Sequence, residues 1–230
     1  MAWAANLTHP DIAFETCDAS VGNSLSTVGD ILKAKKTLRK LRASNLKMTF
    51  VPLRNIRKCK LWVFSDASHA NLKGGASQFG YVIFLVDEEG NSNVVKWMSK
   101  KISRVVKSTL AAETLALLEA AENAYFLKRL LESMLCIPDS EGLEIVCLTD
   151  NKSIVQHVNK STKSVCDFRL RVDVACLRDM LQRREIASIS WVSSENQLAD
   201  CLTKSTASCK NLLKALRENK LDLRLLNGEC

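Results

Sequence analysis

Leu61-Trp62-Val63-Phe64-Ser65-Asp66-Ala67-Ser68 is the stretch that decides the fold. A nearly continuous apolar run closes on a hydroxyl residue and an aspartate, which predicts a short strand buried on both faces. Leu148-Thr149-Asp150-Asn151-Lys152 repeats that ending at the close of a second apolar run, 143–150. In an open α/β sheet, ligands collect at the carboxyl ends of parallel strands, so two aspartates at two such ends can converge on one point. Either aspartate taken alone also suits a turn or a helix cap.

The flanking sequence supplies the rest of an α/β domain. Residues 80–86 and 93–98 read as strands joined by the turn Asp87-Glu88-Glu89-Gly90-Asn91. A long helix is predicted over 109–135, a short one over 152–158, a longer one over 166–184 and a strand over 186–192. Ser194-Glu195-Asn196-Gln197 fits a capping box and predicts a further helix. The order β-β-β-α-β-α-α-β-α describes a three-stranded meander followed by crossovers. Ahead of it, 27–43 is a basic helix with Val28, Ile31, Leu32, Leu38 and Leu41 on one face, which is expected to pack. The pattern breaks at 52–60, and 209–226 is amphipathic. The expected organisation is a helical extension over 1–55, an α/β domain over 60–206 and a helical tail over 207–230.

Composition narrows the class. With 230 residues, 47% hydrophobic and 25% charged, the chain can bury a core and is neither disordered nor collagen-like. No apolar run approaches the roughly 18 residues that span a bilayer, and no secretory leader pattern opens the chain, so an intracellular protein, cytoplasmic or nuclear, is expected. The net charge of +8 is unevenly placed. Residues 31–65 hold eleven Lys or Arg and no acid, and 90–112 hold five more with no acid. Such strips suit a polyanion, and nucleic acid comes before a membrane because neither strip is built as an aromatic-faced interfacial helix; a solvated charged face is the plain alternative. The nine cysteines are scattered, with no C-x-x-C, which argues against a disulfide framework and a structural zinc site. Most are expected to be reduced and buried.

Two further acids stand out. Leu117, Ala120, Ala124, Leu127 and Leu131 form the apolar stripe of the long helix, and Glu113 lies one turn back on it, whereas Glu119 and Glu122 lie off it. A carboxylate on an apolar face needs a partner or a metal, although an acid near a helix start is also favoured by the macrodipole. Asp200 is expected in the first turns of the helix after the last strand, where the same alternative holds. Together the four carboxylates Asp66, Glu113, Asp150 and Asp200 are hard oxygen donors suited to Mg²⁺ or Mn²⁺. Two such ions about 4 Å apart support an in-line phosphodiester displacement by water.

Ser65-Asp66-Ala67-Ser68, Lys107-Ser108-Thr109-Leu110-Ala111-Ala112-Glu113, Thr149-Asp150-Asn151 and Leu198-Ala199-Asp200-Cys201-Leu202-Thr203-Lys204 occur in that order. With Trp97-Met98-Ser99-Lys100-Lys101, this series resembles the ribonuclease H domain of copia-type retrotransposon Pol polyproteins over roughly 61–205. Upstream, Leu7-Thr8-His9-Pro10-Asp11-Ile12-Ala13-Phe14 and the basic helix resemble the end of the reverse transcriptase of such a Pol, with His9 where the family usually has Arg. The resemblance implies a ribonuclease H-like fold: a five-stranded mixed sheet, first three strands antiparallel, flanked by helices. It also implies two Mg²⁺ or Mn²⁺ ions on Asp66, Glu113, Asp150 and Asp200. Asp66 would bridge both ions, Glu113 and Asp150 would complete their shells, and Asp200 would hold the ion that orients the water. The implied reaction is hydrolysis of the RNA strand of an RNA–DNA hybrid, leaving a 3′-hydroxyl and a 5′-phosphate.

Reading an RNA strand requires groups that meet 2′-hydroxyls in a shallow groove. Asn71, Gln78, Ser108 and Thr109 are the candidates, with Lys100, Lys101, Arg104 and Lys107 on phosphates. Where the family commonly has a Lys-His-Ile-like segment, this chain has Phe168-Arg169-Leu170-Arg171-Val172-Asp173, with Arg171 at the expected His; His157 is the only His in that interval. Turnover is therefore expected to be slow. Polymerase activity is excluded, since the Tyr-x-Asp-Asp signature occurs nowhere. The alternatives are a catalytically weak or inactive nucleic-acid-binding remnant of a transposon Pol protein and an integrase of the same broad fold; the expected partners are an RNA–DNA hybrid and the rest of a Pol protein. An integrase carries its Glu after the second Asp, and here Glu113 precedes Asp150.

Overall fold

β1 (Lys60–Leu72) is the central strand of the sheet in the computed structural model, which describes residues 1–20, 27–72, 74–138, 141–159 and 167–227. On one side it pairs antiparallel with β2 (Ala76–Val86), and β2 pairs antiparallel with β3 (Ser92–Lys101). On the other side it runs parallel to β4 (Glu144–Thr149), which is parallel to β5 (Ser188–Trp191). The order β3-β2-β1-β4-β5 makes one five-stranded mixed sheet, the ribonuclease H-like arrangement expected.

Strand alternation sends side chains to two faces. Leu61 and Val63 join one apolar layer with Ala112, Ala116, Leu117, Ala120 and Ala124 of α4 (Thr109–Met134) and Leu177 of α6 (Phe168–Gln182). The alanines let α4 lie close to the sheet, and Ser108 starts the helix by accepting from the Ala111 amide at 3.1 Å. Between β4 and α6 lies α5 (Lys152–Asn159). Trp62 and Phe64 point to the other layer, with Leu198, Leu202 and the apolar side of α7 (Lys210–Glu218). The N-terminal segment reaches this second face as well. Its α1 (Ala2–Leu7) accepts the Trp97 indole N–H at the Ala5 carbonyl, 2.6 Å away, and Ala13, at the start of α2 (Ala13–Ser20), is buried in the same layer.

Several expectations change. β1 continues for six residues beyond Asp66 and β2 begins at Ala76, because the polar hairpin pairs Ser68 with Gln78 and, across a register shift, Leu72 with Ala76. Backbone hydrogen bonds make that hairpin, so loss of apolar character does not end it. The expected helix at 194–197 is a single 3₁₀ turn, Ser194–Asn196, without a side-chain cap. The Gln197 amide donates instead to the Ser65 carbonyl at 3.0 Å. Asp200 opens a second 3₁₀ turn, Asp200–Leu202, rather than an α-helix.

The basic helix, α3 (Val28–Ala43), starts on a Thr27/Asp30 capping box, yet buries only Thr37. Val28, Ile31 and Leu32 are exposed, since α3 is held by ion pairs of Lys33 with Asp18 at 3.1 Å and of Lys40 with Glu15 at 2.9 Å. Of the described cysteines, Cys59, Cys147 and Cys201 are buried, while Cys136, in the turn after α4, and Cys176, on α6, are exposed. Cys166, expected at the start of a helix, and residues 228–230 of the tail lie outside the described residues.

Candidate active site

The parallel pairing of β1 with β4 ends at Phe64 and Leu148. Two residues further on each chain are Asp66 and Asp150, level with one another where the parallel strands separate. Asp66 remains inside β1, paired with Gly80 of β2, and is 2% exposed. Asp150 follows the last residue of β4, and its Oδ2 accepts from the Ser194 hydroxyl at 2.9 Å. The Trp191 indole N–H donates to the Asp150 carbonyl at 3.0 Å, tying that backbone to the end of β5.

Glu113 arrives from the second turn of α4. Its Oε2 accepts from the Asn151 side-chain amide at 2.6 Å, so Asn151 holds the glutamate beside Asp150. Asp200 arrives from the loop after β5. That loop is clamped onto the sheet by Ser99 Oγ donating to the Leu202 carbonyl at 2.6 Å, and by Ser68 Oγ and Asn71 Nδ2 donating to the Thr203 carbonyl at 2.8 and 3.2 Å. Close approach is possible because residue 80 is glycine. A Cβ there would stand 2.6 Å from Leu202 Cβ and 3.2 Å from the Leu202 carbonyl oxygen.

Two residues without an assigned role in the sequence complete the centre. Thr203 Oγ1 donates to Asp66 Oδ2, and Lys204 forms ion pairs with Asp200 and, at 3.4 Å, with Asp66. The i,i+4 spacing of Asp200 and Lys204 is visible in the sequence, but on a 3₁₀ loop it carries no helical meaning. Burial pushes the Asp66 carboxyl up to about 7; Lys204 and Thr203 oppose this, and the nearby charges of Asp200 and Asp150 add to it. Burial also raises Glu113, with Asn151 and Lys204 opposing and Asp150 adding. Burial alone would lower Lys204, but Asp66, Asp200 and Asp150 together raise it. The four expected acids thus belong to one electrostatic cluster, with Lys204 as its cation.

The donor set is carboxylate oxygen, which suits a hard divalent cation. Among the described residues no three acid, His or Cys side chains are close enough to enclose an ion as they stand. Lys204 supplies the counter-charge on Asp66 and Asp200.

The expected substrate-contact residues divide. Lys100, Lys107, Ser108 and Thr109 are exposed, and Lys101 is half-buried on the last residue of β3. Asn71 is exposed but spends its amide on Thr203. Gln78 is fully buried, donating to Ser99 Oγ at 2.7 Å, so it meets no nucleic acid; its position in β2 faces the closed layer under the N-terminal segment. Arg104 is paired with the buried Asp173, which removes its charge from the phosphate role. His157 is half-buried on α5.

No protein-family profile and no curated protein matches the chain. Solved structures do. Ribonuclease H1 from the halophilic archaeon Halobacterium salinarum is similar over 63% of this chain and 94% of its own, at 21% identity and a TM-score of 0.45. An N-terminal ribonuclease H domain from Mycobacterium tuberculosis, solved as a fusion with maltose-binding protein, covers 70% of this chain and 97% of its own at 18% identity and a TM-score of 0.46. The foamy viral protease-reverse transcriptase in complex with an RNA/DNA hybrid covers 80% of this chain and 22% of its own at 16% identity and a TM-score of 0.45.

Proposed function

We propose that this protein is a divalent-metal-dependent ribonuclease H that hydrolyses the RNA strand of RNA–DNA hybrids. The observation that carries the reading is the gathering of Asp66, Glu113, Asp150 and Asp200 from four separate elements around one buried carboxylate. An origin in a copia-type Pol polyprotein rests on the ordered motif series of the sequence.

Asp66, Glu113, Asp150 and Asp200 would hold two Mg²⁺ or Mn²⁺ ions. Bound there, such ions would activate a water and stabilise the leaving oxygen of a phosphodiester. The chain's own residues prepare that event. Asn151 orients Glu113, Ser194 orients Asp150, and the Thr203 hydroxyl fixes Asp66 Oδ2. Lys204 occupies carboxylate oxygens that a bound cation would require, so its flexible side chain would have to leave Asp66 for a cation to be held there. Lys100 and Lys107 present charge for phosphates, and Ser108 and Thr109 present hydroxyls at the start of the helix that bears Glu113.

The test uses one hybrid labelled separately on each strand. With Mg²⁺ the protein is expected to shorten the RNA label and leave the DNA label intact; with EDTA neither changes. A second reading, a nucleic-acid-binding protein without catalysis, is favoured by the Lys204 contacts, which offset part of the charge on Asp66 and Asp200 without metal. Tight hybrid binding with no cleavage in Mg²⁺ or Mn²⁺ selects that reading.

A further inference from the structure

The first turn of α6 carries a pair of side chains that the carboxylate centre does not use. Phe168 is 68% exposed, and the Arg171 guanidinium lies over its ring, 5.6 Å from the centroid. The turn is fixed by Asp167, whose carboxylate accepts from the Arg169 amide at 2.9 Å and from the Leu170 amide at 3.3 Å. Facing it is the loop between β3 and α4. Val105 there is 77% exposed, its carbonyl accepts from Arg169 Nη1 at 3.3 Å, and Lys107 Nζ lies 3.7 Å from Asp167. Among the described residues neither Arg169 nor Arg171 is paired with a carboxylate, and both are exposed. Among the described residues the patch is therefore an exposed aromatic ring flanked by Arg169, Arg171 and Lys107, with Asp167 as its one acid.

We propose that this patch binds a single-stranded nucleic acid segment running off the hybrid, with an unpaired base stacked on Phe168 and its phosphates on Arg169, Arg171 and Lys107. Charge selects a polyanion, and the ring selects an unstacked base. A phenyl group standing off a helix surface does not enter the base stack of a duplex, whereas every unpaired base offers a face to it. The location fits. Lys107 precedes Ser108, the cap of α4, and Glu113 follows five residues later, about 8 Å along the helix axis. A strand leaving the carboxylate centre along the start of α4 meets the patch. The placement of the hybrid rests on the ribonuclease H reading; the single-strand contact itself does not.

The experiment is fluorescence anisotropy in EDTA with three probes: a blunt hybrid, the same hybrid with a short single-stranded DNA tail, and the tail alone. The tail is expected to tighten hybrid binding about tenfold, a typical gain for stacking one or two bases. Phe168→Ala should abolish that gain and weaken binding of the free tail, while leaving the blunt hybrid unchanged. Phe168→Trp should keep the gain and report that the turn still folds. An equal gain in the parent and Phe168→Ala, or none in the parent, overturns the proposal. So does concentration-dependent self-association that Phe168→Ala removes, which would assign the patch to a second copy. If the parent fails to bind the blunt hybrid yet binds the tail in a Phe168-dependent way, the ribonuclease H reading fails and the single-strand site stands.

Discussion

Asp66 concentrates the chemistry in one side chain. Its carboxyl titrates near 7 against an ordinary 3.8, so between about pH 4 and pH 7 the folded protein holds a proton that the unfolded chain has released. Stability from this group is therefore full at low pH and declines as pH rises through 7, by about 4 kcal/mol at most. Asp66→Asn removes the charge, and in EDTA it should raise the melting temperature at pH 8 while changing it little at pH 5. A variant less stable than the parent at both pH values would show that Lys204 and Thr203 more than offset the burial. The acids were legible at this scale because a carboxylate on an apolar run is conspicuous. Gln78 was not, since a polar residue near a hairpin looks solvent-facing until the layer above it is seen. Thr203 and Lys204 were not either, because nothing in a threonine or a lysine beside Asp200 says that both turn toward Asp66.

At the scale of elements, the loop over 197–204 matters most, since it brings Asp200, Thr203 and Lys204 over the sheet. It rests on Gly80, the β2 partner of Asp66. Gly80→Ala should lift the loop, destabilise the protein by roughly 1–3 kcal/mol as overpacking does, and depress hybrid cleavage; urea denaturation and a cleavage assay report the two effects. Unchanged values for both would mean that the loop is not seated as described. A capping-box signature is local, whereas this loop is shaped by contact with Gly80 and Ser99, residues over a hundred positions away. β3 tests the electrostatic reading. Replacing Lys100 and Lys101 with Gln should weaken hybrid binding and reduce the slope of log K against log salt by roughly 1 to 2. An identical slope removes both lysines from the substrate path.

Across the whole molecule, the two faces of the sheet have different origins. One is covered by α4 and α6, as the meander-and-crossover pattern led one to expect. The other is covered by α7, the 197–204 loop and the N-terminal segment, whose Ala5, Ile12, Ala13 and Phe14 are buried. Short, irregular segments carry weak periodicity, which is why this second layer was hard to read from the sequence. Removing residues 1–44 should lower the unfolding free energy by at least about 3 kcal/mol, since an isoleucine and a phenylalanine each lose burial; urea denaturation measures it, and no change would mean the segment docks without contributing. The net charge of +8 also becomes more specific. On α3, Lys33 and Lys40 hold the helix in place, whereas Lys100 is exposed near the end of β3, on the side of the sheet that carries the acids, and Lys107, exposed ahead of α4, faces Asp167. The most direct measurement is the single-turnover rate of RNA cleavage in an RNA–DNA hybrid with Mg²⁺, parent against Asp66→Asn. A centre built on the four carboxylates predicts cleavage by the parent and a rate at least about a thousandfold lower in the variant; equal rates would contradict it.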